Sequence, residues 1–158
     1  MNGEALRPEQ GYPIRLVVPG WEGNMWVKWL RRIEFGDKPY MTREETSKYT
    51  DLLSDGKARM FTWVMDAKSV ITSPCPEKPV LQKGIHQIRG LAWSGRGKIK
   101  RVDVSLDGGK NWKTAQLHSP VLEKSLTRFT IPFEWNGEEM LLQSRAIDET
   151  NYVQPTIK

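Results

Sequence analysis

GLAWSGRGKIKRVDVSLDGGKNW, from Gly90 to Trp112, holds two apolar segments parted and closed by glycine-rich breaks. An apolar alternating segment ends at Ser94. The chain breaks at Gly95-Arg96-Gly97 and resumes as a β-branched run from Ile99 to Leu106. It breaks again at Asp107-Gly108-Gly109, where the glycines give positive φ at little steric cost and so fit a hairpin turn. Successive strand side chains point to opposite faces, so a repeat of two reads as a half-buried strand. Outward from this stretch the same pattern recurs. Gly84–Ser94, Ile99–Leu106, Trp112–Leu117, Leu126–Phe133 and Met140–Asp148 alternate, and turn signals separate them at about ten-residue intervals. Trp135-Asn136-Gly137 is a further turn. The pattern predicts a β-sandwich.

Toward the N-terminus the character changes. Ser69–Thr72 predicts a strand, and Ser73-Pro-Cys-Pro-Glu-Lys-Pro79 a stiff connector, since proline fixes φ and removes a donor. Tyr12–Val18 predicts a short strand, Pro19-Gly20 and Gly23-Asn24 a turn, and Met25–Phe35 a second strand. Thr42-Arg43-Glu44-Glu45 has the form of a capping box opening a short helix from Arg43 to about Tyr49. From Thr50 to Thr62 the polar sequence predicts an extended loop. Two domains follow: residues 1–66, with too little apolar periodicity for a core of their own, and residues 67–158, an all-β unit.

The bulk properties narrow the function classes. The 158 residues carry a net charge of +5, which favours anionic partners without choosing among nucleic acid, acidic protein and anionic cofactor. The single cysteine excludes an internal disulfide, and two histidines with one cysteine supply no zinc set. No run of about 20 apolar residues is present to cross a membrane. Seven tryptophans point to large flat side chains in packing or at an interface.

Arg15 and Lys28 stand inside segments that otherwise read as core. Strand cations mostly lie on a solvated face or snorkel. Against that, Arg15 precedes Leu-Val-Val, where a partly buried guanidinium needs an anion, and Lys28 sits beside a glycine-rich turn. Arginine offers a bidentate fork and lysine a point charge, a pair suited to a phosphate-bearing ligand. Arg96, Lys98, Lys100 and Arg101 form a basic run that reads as a solvated hairpin rim, or alternatively as a nucleic-acid patch. Cys75 between two prolines reads as a linker thiol. His86 and His118 have no triad partner in a recognisable motif. Ser105-x-Asp107-Gly108-Gly109-x-x-Trp112 resembles the Asp-box hairpin of sialidase propellers. It occurs once here rather than once per blade, so the structural reading is preferred: Asp107 caps the turn and Trp112 packs back on the strand.

GYPIRLVVPGWEGNMWVKWLRRI, from Gly11 to Ile33, resembles the sulfite oxidase family of molybdenum enzymes. The pterin domain of that family ends in a segment of the form H-G-[YF]-P-[VIL]-R-[LV]-V-V-P-G, followed by a turn and V-K-W-L. SVITSPCPEKPV resembles its interdomain linker, GLAWSGRGKIKRVDVSLDGGKNW its dimerisation-domain core, and RAIDETNYVQP the end of that core. WEGNMWVKWLRRIEFGDKPYMTREETSKYTDLL carries a closer likeness to the molybdenum subunits of bacterial sulfane and sulfite dehydrogenases.

The resemblance implies a mainly β chain: an immunoglobulin-like (E-set) sandwich preceded by a remnant edge of the molybdopterin-binding domain. It implies that Arg15 contacts the anionic molybdopterin, and that Trp26, Val27 and Lys28 face the pterin and its phosphate. Gln10 stands where the family usually has histidine; it can hydrogen-bond but carries no charge. The family's molybdenum-ligating cysteine lies upstream of this segment, and Cys75 aligns with the linker instead. Family members also continue past the equivalent of Gln154–Lys158 by about a strand, so the chain reads as a carboxy-terminal piece whose parent oxidises sulfite or sulfane sulfur.

In that reading oxygen comes from water, electrons pass to cytochrome c, the parent is periplasmic, and this chain supplies a homodimer interface. Alone it is expected to hold no molybdenum and to be inactive. Two other readings stay open: a non-enzymatic immunoglobulin-like association module, and a carbohydrate-binding domain resting on the single Asp-box-like hairpin.

Overall fold

The computed structural model describes residues 3–38, 40–59, 63–80 and 82–156. The chain divides into two units, residues 1–65 and 66–158.

The second unit is a β-sandwich, as the period-two pattern predicts. One sheet has the order β3 (Lys68–Ser73), β4 (Gly84–Trp93), β8 (Thr127–Trp135), β7 (Gln116–Leu117). The other has the order β6 (Lys113–Thr114), β5 (Ile99–Ser105), β9 (Gln143–Asp148). Every pairing within them is antiparallel. Ile88, Ala92, Phe129 and Ile131 project inward from the first sheet and meet Val102, Val104 and Ala146 from the second. Gly90 lies opposite Phe129 in the β4–β8 ladder. A Cβ at position 90 would fall 2.2 Å from the Phe129 ring and 2.4 Å from the Val70 carbonyl, so only glycine leaves room for this buried ring.

The predicted strand Trp112–Leu117 is divided between the sheets. Lys113–Thr114 pairs with β5 and Gln116–Leu117 with β8. Ala115 makes the crossing, buried between the sheets, with its N–H on the Val102 carbonyl at 2.8 Å. A small side chain there lets the chain step between the edges of the two sheets, which a strictly alternating reading cannot anticipate.

Asp148 ties the end of β9 to two loops. One carboxylate oxygen accepts from the Thr150 amide (2.9 Å), the Thr150 hydroxyl (2.6 Å) and the Tyr152 amide (3.1 Å); the other accepts from the Ser94 hydroxyl at 2.7 Å. Burial alone would push this carboxyl up; these bonds outweigh it and hold it below its ordinary range.

In the first unit the expected strands are not continuous ladders. Ile14–Leu16 and Val27–Leu30 run beside one another through two bonds, Leu16 N–H to the Val27 carbonyl (2.9 Å) and Leu30 N–H to the Ile14 carbonyl (3.0 Å). Gly23–Met25 is a 3-10 turn and Trp29 takes φ 52°, which interrupts the extended geometry that Met25–Phe35 predicted. Helix α1 (Arg43–Lys48) forms where expected, but the capping box does not. Thr42 makes no side-chain cap, and the Thr46 hydroxyl instead donates back to the Thr42 and Arg43 carbonyls at 3.0 and 3.1 Å. Both residues are exposed, so water can serve the open amides of the first turn. The expected loop after Thr50 holds a short hairpin, β1 (Asp51–Leu52) with β2 (Ala58–Arg59). Its turn is set by the Lys57 N–H on the Asp55 carboxylate at 3.0 Å. The last residues of that expected loop, 60–62, lie outside the described residues.

Candidate cofactor-binding site

A three-residue 3-10 turn, Pro8–Gln10, organises the region around the two cations. Proline stands at its start, and Gly11 closes it at φ 107° with its N–H on the Pro8 carbonyl at 3.0 Å. Glycine is required at 11 for a second reason: a Cβ would lie 3.0 Å from both Cα and Cβ of Lys28. The turn is thereby held against the Val27–Leu30 segment.

Three donors end on three successive carbonyls of this turn. The Trp29 indole N–H donates to Pro8 at 3.0 Å, the Lys28 ammonium to Glu9 at 2.6 Å, and Arg15 Nη1 to Gln10 at 3.3 Å. Arg15 Nη1 also reaches the Gln10 side-chain oxygen at 3.4 Å. Gln10, Arg15 and Lys28 therefore converge on one turn, with Arg15 lying 5.9 Å from the Trp26 ring and Lys28 5.7 Å from that of Trp29. Trp26 is itself fixed by its indole N–H on the Trp21 carbonyl at 3.2 Å. Val27 contributes through its backbone carbonyl, and its side chain faces solvent. The sequence reading did not single out Trp29. Its place next to Lys28 in Val27-Lys28-Trp29-Leu30 was the available signal; its left-handed backbone was not readable.

Among the described residues neither Arg15 nor Lys28 meets a carboxylate; their acceptors are neutral. Nε of Arg15 is shielded from solvent and has no hydrogen-bond partner. The Arg15 bonds, 3.3 and 3.4 Å, are longer than the usual N–H···O span of about 2.7–3.2 Å. Two positive charges held close by neutral acceptors, with one donor orphaned, suit an anion bearing several acceptor oxygens. The phosphorylated pterin named by the family resemblance meets that description.

The other candidates resolve into structure. The Asp107 carboxylate accepts from the Asn111 and Lys110 amides (2.9 and 3.1 Å), the Asn111 side chain (2.8 Å) and the Ser105 hydroxyl (2.7 Å). The Asn111 amide, then its side chain, hold this carboxyl well below the usual carboxylate range. Trp112 donates to the Gly109 carbonyl at 2.9 Å and stacks 4.2 Å from the Arg145 guanidinium. This is a turn cap, as read. Three cations of the basic run have partners. Arg96 binds Asp66 at 2.6 Å, Arg101 binds Asp103 at 3.1 Å, and Lys100 donates to Asn151 at 2.7 Å. His118 bonds to the Thr130 hydroxyl (2.7 Å) and His86 to the Gln82 carbonyl (2.6 Å). Among the described residues no three His, Cys, Asp or Glu side chains gather as a metal set.

Comparison with known proteins identifies the class. Residues 59–158 match the Mo-co oxidoreductase dimerisation domain, and the chain belongs to that family. Residues 1–44 match the oxidoreductase molybdopterin binding domain. The chain is similar to the sulfane dehydrogenase SoxCD of Paracoccus pantotrophus, with 68% identity and a TM-score of 0.87 over 98% of this chain and 40% of that one. It is 33% identical to the sulfite oxidase of Gallus gallus over 98% of this chain and 36% of that protein. It is 31% identical to a nitrate reductase [NADH] of Solanum lycopersicum, of which it covers 20%. The chain thus spans less than half the length of each of these relatives.

Proposed function

We propose that this chain is part of a molybdopterin-dependent oxidoreductase of the periplasm that oxidises inorganic sulfur, as sulfite or sulfane sulfur, and passes electrons to a cytochrome c. Residues 1–66 supply part of the cofactor wall and residues 67–158 the surface of a homodimer. When bound, the molybdenum centre supplies the redox chemistry. This chain's part is to bind and orient the cofactor: Arg15 and Lys28 neutralise the pterin phosphate, Gln10 adds a neutral contact, and Trp26 and Val27 complete the wall. The 68% identity to SoxCD supports sulfur as the substrate over the nitrate of the more distant relatives.

The observation that carries the proposal is the convergence of Arg15 and Lys28 on one turn with neutral acceptors only. Arg15→Ala in the whole protein should weaken molybdopterin retention by about tenfold to a hundredfold, the loss of a charged hydrogen bond of roughly 1.5–3 kcal/mol. Pterin and molybdenum content per protomer, measured after purification, is the readout. Content equal to that of the parent would overturn the role of Arg15.

A further inference from the structure

The outward face of the four-stranded sheet carries an arrangement of charge that the cofactor site does not use. Register places its side chains in rows across the strands. Val70 lies beside Leu91 and Leu91 beside Arg128; Arg89 lies opposite Thr130, Gln87 opposite Pro132, and Ile85 opposite Glu134. All point away from the core, because Ile88, Ala92, Phe129, Ile131 and Phe133 between them point in. Ile85 is 81% exposed. Among the described residues Arg128 and Glu134 meet no charge of opposite sign, and the Arg89 guanidinium bonds only to the Gln87 side chain at 3.1 Å. One strand, β8, therefore carries an unpaired cation and an unpaired anion on one face, six residues or roughly 20 Å apart.

We infer that this face packs on the same face of a second copy, about a two-fold axis that lies in the interface, perpendicular to the strands and level with the gap between Thr130 and Pro132. The inference rests on the homodimer reading and specifies its surface. Such an axis keeps the strands in order and reverses position along each. Arg128 then meets the partner's Glu134, Leu91 meets the partner's Ile85, and Arg89 meets the partner's Gln87. Each contact occurs twice, as an isologous interface requires. An axis parallel to the strands would instead keep position along each, leaving Arg128 level with the partner's Leu91 and Arg128 and never with Glu134. The relief of the face agrees. A groove of about 560 Å³ lies around Arg128, Arg89, Leu91 and His118, at the end where the partner's Ile85 and Glu134 arrive. Charge pairs at such a contact set register and partner choice.

Sedimentation of the whole chain, of R128E, of E134R and of the double variant R128E/E134R tests this, with far-UV circular dichroism to confirm folding. The parent chain should dimerise. Each single reversal should weaken the dimer by about tenfold or more, and the double variant should restore it. I85D, which leaves the charge pair intact, should weaken it as well. A dimer indifferent to both single reversals and to I85D removes this face and leaves the homodimer reading standing. Single reversals that weaken the dimer without rescue in the double variant overturn the Arg128–Glu134 pairing. A monomer at every concentration defeats the inference together with the homodimer reading.

Discussion

Phe129, Ile88, Val102, Ala92 and Ala146 in the second unit are wholly shielded from solvent. Among the described residues of the first unit only Gly11 and Gly20 are buried, while Phe35 is 97% exposed and Ile33 62%. Hydrophobic burial scales with apolar area removed from water, so it stabilises the sandwich and adds little to residues 1–65. What holds the first unit locally is a set of hydrogen bonds to turns, of which those from Trp29, Lys28 and Arg15 to Pro8, Glu9 and Gln10 are the most concentrated. The contrast teaches that the two units answer different demands. One has closed its core; the other leaves large apolar side chains such as Phe35 and Ile33 exposed.

Substitutions test that contrast. Phe129→Ala should lower the stability of the sandwich by about 3–5 kcal/mol, the range for deleting a buried aromatic ring, read by urea denaturation. A loss below roughly 1 kcal/mol would mean that the core is not where stability resides. Asp148→Ala should cost on the order of 3 kcal/mol, because Ser94, Thr150 and the Tyr152 amide lose a buried charged acceptor.

The acid dependence of the Asp148 carboxylate has a fixed sign. Its pKa is lowered on folding, so its contribution is present above the unfolded value near 3.9 and is lost as pH falls below it. Asp148→Asn should therefore flatten the fall in stability between about pH 4 and pH 2 in acid titrations. Gly90→Ala should cost about 1–3 kcal/mol by overpacking against Phe129 and the Val70 carbonyl. The smallest effect belongs to the first unit. Arg15→Ala should move stability by no more than about 0.5 kcal/mol, since its partners are exposed neutral oxygens that water can serve. A large loss there would show that Arg15 holds the fold rather than awaiting an anion.

Much of the fold was legible before any coordinates. Period-two alternation from Gly84 to Asp148 named the sandwich, and the glycine pair after Asp107 named its hairpin. Alternation survives reading because each strand half-buries itself by the same rule. The helix at Arg43–Lys48 was legible, but the Thr42 side-chain cap expected at its start does not form. Of the site, Arg15 and Lys28 stood out as cations in apolar surroundings. Their meeting at one turn could not be read, because it depends on 19 residues of separation closing between Glu9 and Lys28. The Trp29 contact with Pro8 stayed hidden for the same reason.

From composition and pattern alone came the all-β class, the break in character near residue 66, and a pair of cations suited to phosphate, since each follows from local propensity, periodicity and charge. Only tertiary structure decided that Ala115 carries one strand from sheet to sheet, that Gly90 makes room for Phe129, that Glu9 and Gln10 receive the two cations, and that Arg128 and Glu134 share an open face. These depend on which distant segments come to lie side by side. Chain connectivity does not dictate that: core packing does so in the sandwich, and close backbone approach with turn hydrogen bonds does so in the first unit.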